Sequence, residues 1–227
     1  MKIAVAAYPL DEVEYFDAYA AKISAWVEDA VTQGADLLVF PEYGATELSS
    51  IAHRAGTLNG VAHGASDLMD RAVALHQRLA RHHGVYILMG SGPVWTYDHF
   101  VNRAFLVGPS GDVRVQDKRI MTRFEREEWV IAKGSPLQVF DTSLGKIGVL
   151  ICYDAEFPLL GHALVEAGVE VLLVPSCTET MAGYSRVKIG AMARALEGQC
   201  IVAHAVTQGP APWCAVAPDN VGAAGIY

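Results

Sequence analysis

Long apolar runs are missing from this sequence. The longest, such as residues 147–152 and 169–174, fall far short of a membrane span. The N-terminus carries one lysine and a short apolar stretch, and acidic residues follow at once, which does not suit a secretory signal. The chain therefore reads as cytoplasmic. Cysteine is scarce: Cys152, Cys177, Cys200 and Cys214 form neither a CxxC pair nor a Cys/His spacing suited to zinc. Nor do four cysteines in 227 residues suggest a disulfide framework. Positive charge is the minority sign. Lys and Arg total 17 against 25 Asp and Glu, for a formal net charge of −8, and they are scattered, which argues against a nucleic-acid partner. There is no repeat, low-complexity tract or obvious linker, so residues 1–227 are expected to form one domain.

What is abundant is hydrophobicity. Apolar residues make up 52% of the chain and the mean hydropathy is +0.24. Such values suit a sheet covered on both faces, whose strands are nearly continuous apolar runs. Residues 3–8 read as a strand, 14–33 as a helix stopped by Gly34, and 37–40 (LLVF) as a buried strand cut by Pro41. Small and polar residues then suggest an irregular loop to about residue 64. Ser66 would cap the next helix, with Leu68, Ala72, Leu75 and Leu79 at helical spacing and Gly84 as its stop. A strand at 85–89, hairpins at 104–117 and 139–151, a helix at 158–167, a strand at 169–174, a helix at 184–198 and a strand at 201–206 complete an α/β pattern with a mixed sheet. The remaining tail reads as loop.

Ligands of open α/β sheets tend to lie beyond the carboxyl ends of strands. The polar residues found there are Glu42 after LLVF, Lys118 after VRVQD, and Cys152 after IGVLI. Each alone is ordinary: a loop carboxylate, a surface amine, a packed thiol. Together they supply one mechanism. A thiol needs a base to become a nucleophile, and desolvation makes a carboxylate a usable base. Acyl transfer builds an oxyanion, which Lys118 and the backbone N–H of Tyr153 could stabilise. The histidines offer no better base. His82 and His83 end a helix, His76 lies toward its polar side, and His162 sits about three turns beyond Cys152.

Four stretches resemble the nitrilase superfamily of carbon–nitrogen hydrolases: LLVFPEYGATEL, VQDKRIM, GKIGVLICYDAEFP and RALEGQC. The resemblance implies a four-layer αββα sandwich and a Glu42–Lys118–Cys152 triad working through a thioester. It implies no metal or organic cofactor, a small-molecule amide as substrate and a homodimer or higher homo-oligomer. It also implies a second glutamate between the Lys and Cys motifs. FEREEWVIAKG offers Glu125, Glu127 and Glu128, and counting back from Gly134 favours Glu127. The loop holding Cys177, Thr178 and Tyr184 is implied to border the substrate. Arg194 and Glu197 would pair on one late helix in a structural role.

Two departures stand out. Family chains continue past the equivalent of Tyr227, so a closing segment is expected to be missing here. Glu156 stands where many relatives carry arginine, a change expected to alter which charged substrates enter. The reading is an amidase acting on a small linear amide. N-carbamoyl compounds or nitriles are alternatives for the same triad, and a catalytically silent binding protein or a Cys152–Cys177 thiol redox protein belong to other classes.

Overall fold

The computed structural model describes residues 1–129 and 131–227. In chain order the strands are β1 (Ile3–Val5), β2 (Ala7–Pro9), β3 (Leu37–Val39), β4 (Tyr86–Thr96), β5 (His99–Val107), β6 (Val113–Asp117), β7 (Ile131–Ala132), β8 (Phe140–Thr142), β9 (Gly145–Val149), β10 (Val171–Ser176), β11 (Ile201–Pro210), β12 (Asp219–Asn220) and β13 (Gly225–Ile226). The helices are α1 (Phe16–Thr32), α2 (Leu48–Ile51), α3 (Leu58–His83), α4 (Arg123–Glu127), α5 (Pro158–Glu166) and α6 (Met181–Gly198), with single 3₁₀ turns at Gly44–Glu47 and Cys152–Glu156.

Two sheets form. The first runs β1-β3-β4-β5-β6 with β7 beside β5, and the second runs β12-β11-β10-β9-β8 with β2 and β13 on β11. Period-two alternation explains their stacking. On β3, Leu37 and Val39 join a core with Leu88, Leu106, Ile147, Val149 and Leu173 between the sheets. Leu38 and Phe40 face the other way, into a core with Val27 of α1 and Ala72 and Leu75 of α3. Leu164 of α5 and Val187 and Ala191 of α6 pack with the second sheet. Both faces of β3 are covered, which is why it reads as an unbroken apolar run. The result is the αββα sandwich expected.

Ala6 joins the two sheets. β1 pairs parallel with β3 in the first, and β2 pairs parallel with β11 in the second. Between them the Ala6 N–H donates to Val39 O (3.0 Å) and its carbonyl accepts from Val206 N (2.9 Å). One short segment thus runs in the same sense through both sheets. β6 is antiparallel to β5, which is antiparallel to β4, while β9 and β10 are parallel to each other and to β11. The carboxyl ends of β3, β6, β9 and β10 therefore share one rim of the sandwich.

Several boundaries differ from expectation. The stretch before residue 64 is not irregular: it holds a 3₁₀ turn and α2, and α3 starts at Leu58, capped by Thr57, whose Oγ1 accepts from Gly60 N at 3.1 Å. Ser66 lies inside α3 and its hydroxyl accepts from Trp95 N. His76 is buried, its ring edge-on to Phe40. The tail contributes β12 and β13 to the second sheet. No helix among the described residues is long and apolar enough to cross a membrane.

Candidate active site

Four chain segments meet at the shared rim. Pro41 ends β3 and delivers Glu42; β6 ends at Asp117 and delivers Lys118; β9 leads into Cys152; β10 leads into Cys177. Glu42 and Lys118 are each 1% exposed and Cys152 4%. So deep a set of ionisable groups is held only by partners.

Lys118 Nζ donates to Glu42 Oε1 (2.7 Å) and to Glu125 Oε1 (2.8 Å). Asn102 Nδ2 donates to the same two oxygens, at 2.9 and 3.3 Å. The other Glu42 oxygen accepts from Cys177 N at 3.0 Å. Glu125 also receives the Tyr43 hydroxyl, and its Oε2 accepts from Thr122 N and Thr122 Oγ1. Asp154 fixes the chain leaving Lys118 by accepting from the backbone N–H groups of Arg119 and Ile120. Cys152 sits at the start of its 3₁₀ turn with φ +49°, a left-handed conformation uncommon for a residue with a Cβ. Its thiol donates to Cys177 O at 3.6 Å and contacts the Glu42 carboxylate.

The electrostatics follow from burial and pairing. Burial raises the Glu42 carboxyl; the Lys118 ammonium opposes this, and the Glu125 charge adds to it. Burial would also raise Glu125, but Lys118 and the hydrogen bonds hold it below the ordinary range. Burial alone would lower Lys118, yet Glu125 and Glu42 raise it well above normal, so it is a cation. Burial and the Glu42 charge push the Cys152 thiol well up, with Lys118 opposing. At rest the site thus holds a neutral thiol beside a carboxylate of raised proton affinity.

Glu127 does not reach the site, contrary to expectation. Its side chain is exposed and pairs with Arg123 (2.7 Å) and Arg126 (2.9 Å), away from Lys118. The glutamate that reaches Lys118 is Glu125, turned inward as the third residue of a capping box with Thr122. Nor does Tyr184 line the cavity as expected. It is buried, its hydroxyl donates to Ala223 O, and its ring stacks on His204, whereas Gly183, Arg186 and Val187 line the cavity. Cys177 and Thr178 do line it. The Cys177 thiol, however, donates to Asn220 Oδ1, and Thr178 Oγ1 donates to Val221 O. Tyr153 is partly buried at the wall, with its ring edge-on to Phe157. Arg194 pairs with Glu197 (2.8 Å) and donates to Ala155 O, a structural tie.

Asn102 and Tyr43 were not anticipated. A buried Asn on a strand and a Tyr beside Pro-Glu carry no motif of their own. The cavity over Cys152 measures about 570 Å³ and is walled by Glu42, Tyr43, Lys118, Glu125, Cys152 and Cys177 among others. That suits a small molecule.

The carbon–nitrogen hydrolase model matches residues 2–215. The chain belongs to the carbon–nitrogen hydrolase family. The Bacillus subtilis (strain 168) protein named "Probable hydrolase YhcX" is 32% identical over 212 residues, covering 93% of this chain and 41% of that one. An omega-amidase of Xenopus laevis is 26% identical over 79% of this chain and 65% of its own length. Against a crystal structure of an amidase from Nesterenkonia sp., this carbon–nitrogen hydrolase chain aligns at TM-score 0.77 and 25% identity, covering all of itself and 81% of the other. The chain spans between about two-fifths and two-thirds of the length of these curated relatives.

Proposed function

We propose that this chain is an amidohydrolase that cleaves the C–N bond of a small linear amide through a Cys152 thioester. The observation that carries the reading is a thiol, a carboxylate of raised proton affinity and a charged lysine, delivered by separate strands to one buried cavity. Matches named as amidases favour amides over the nitriles or N-carbamoyl compounds that the same triad could attack.

In the first half-reaction Glu42 takes the thiol proton and Cys152 Sγ attacks the carbonyl carbon. The carbonyl oxygen becomes an oxyanion facing the Lys118 ammonium and the Tyr153 N–H. The C–N bond breaks, and the leaving nitrogen takes the proton from Glu42 and departs as ammonia or an amine. In the second, Glu42 removes a proton from water, whose oxygen adds to the thioester. The thiolate leaves and recovers its proton, and a carboxylic acid remains. Glu125 keeps Lys118 charged and aimed, and Asn102 ties Glu125 to Glu42.

Ammonia release from a panel of amides, N-carbamoyl compounds and nitriles, comparing wild type with Cys152→Ala, tests this. Release from amides by wild type alone is expected. Release by both proteins would exclude Cys152 as the nucleophile, and release by neither would leave a silent binding protein; either outcome overturns the cysteine hydrolase.

The cytoplasm is the proposed location, in keeping with four free thiols. A homo-oligomer is also proposed, because Leu159, Ile189, Met192 and Leu196 stand exposed on α5 and α6. Leu196→Glu should then lower the sedimenting mass; an unchanged mass would remove that face from the assembly.

A further inference from the structure

The cavity wall is unevenly charged. It holds five carboxylates, Glu42, Glu125, Glu128, Glu156 and Glu179, against two cations, Lys118 and Arg186. At the floor, Lys118 is engaged by Glu42 and Glu125. Nearer solvent, Arg186 is engaged by Glu156 at 3.3 Å. The arginines of α4 do not serve the cavity, since Arg123 and Arg126 both turn to Glu127. The carboxylates left over are Glu128, just past α4, and Glu179, just before α6. Both are exposed, and they approach from different elements. Partial burial raises Glu179, and the charges of Asp219 and Glu128 raise it further, so these carboxylates sense one another.

Two like charges facing one cavity repel each other and any anion that enters. A substrate tail bearing a carboxylate would meet Glu128 and Glu179. It could reach Arg186 only by displacing Glu156. A tail bearing an ammonium would relieve the repulsion and gain two partners. We infer that the substrate is an amide carrying a cationic amine at its far end, held between Glu128 and Glu179 while its amide carbon lies at Cys152. This rests on the amidohydrolase reading above and names its substrate class. The anionic amides of dicarboxylic acids are the class it excludes.

The test compares kcat/KM for three amides of matched length: δ-aminovaleramide (cationic), valeramide (neutral) and glutaramate (anionic). The expected order is cationic, neutral, anionic, with the cationic amide favoured over the neutral one by about tenfold or more at low salt. Added salt should narrow the gap, because the two carboxylates are exposed. Glu128→Gln and Glu179→Gln should each lower the ratio of cationic to neutral kcat/KM, and the double variant should bring it near parity. Glu179→Lys should move preference toward glutaramate. Equal use of the three amides by wild type, a preference for glutaramate, or a ratio unmoved in the variants overturns the inference and leaves the amidohydrolase standing. Failure to hydrolyse any of them while nitriles or N-carbamoyl compounds are turned over overturns the amide reading and this inference together.

Discussion

Glu125 and Glu127 lie two positions apart in α4, and that spacing sends them in opposite directions. Glu125 turns inward to Lys118 and Tyr43, and Glu127 turns out to two arginines. Glu125→Gln is expected to lower kcat by about a hundredfold, because Lys118 loses the carboxylate that aims it and a misplaced oxyanion donor costs about that much. Glu127→Gln should stay within about twofold. Steady-state kinetics of the two folded variants decide between them. The pH profile gives a second check. The Glu42 pKa is raised, so its base form is lost as pH falls through a value above the ordinary 4.5, and the acid limb of kcat/KM should lie correspondingly high. The Glu125 charge is one cause of that elevation, so Glu125→Gln should move the limb to lower pH; a limb that stays put would show that Glu42 is not the titrating base. The convergence of Glu42, Lys118 and Cys152 on one cavity was legible because each follows a strand that ends on the same rim. Glu125 was legible too, through the Thr122-x-x-Glu125 capping pattern, but counting back from Gly134 obscured it. Asn102 could not be read, because its role depends on how β5 and β6 lie beside β3.

The elements with unbroken apolar runs were read correctly, and those with small residues were not. Residues 57–65 contain Gly60 and Gly64, which look like breakers. In the fold they let α3 pass close to its neighbours. A Cβ at Gly60 would fall 2.1 Å from Arg54 O, and one at Gly64 would fall 3.0 Å from Ser49 Cα. Tertiary packing therefore overrides propensity here, and the helix begins at Leu58, well ahead of Ser66. Thr57→Ala should cost about 1 kcal/mol through loss of the cap, a fall of about 2–4 °C in Tm. Thermal unfolding checks this, and an unchanged Tm would argue against a helix start fixed by Thr57. The tail was misread for a related reason. Strands of two residues, such as β12 and β13, leave no periodic trace.

Across the whole molecule, burial sets the response to acid. His76 and His204 are held neutral by burial, each with a pKa lowered to about 4 from 6.5. The unfolded chain takes up these protons as pH falls below 6.5 and the folded one does not, so their contribution to stability declines between 6.5 and 4, by up to about 3 kcal/mol each. Glu42, Glu47 and Asp154, whose proton affinities burial raises, act in the opposite sense over part of that range. The difference between proteins isolates the histidine: in His204→Phe the unfolding free energy should fall less steeply from pH 6.5 to 4 than in wild type. Parallel curves from denaturant titrations would show that His204 is protonated in the fold. Ala6 carries a different consequence, one of timing. During synthesis the segment from β1 to β2 emerges long before β11, which must supply the partner for β2 and the Val206 amide for Ala6. The second sheet is thus joined to the first only when almost all of the described chain has been made, and until then β2 waits as an unpaired edge that a nascent neighbour could capture.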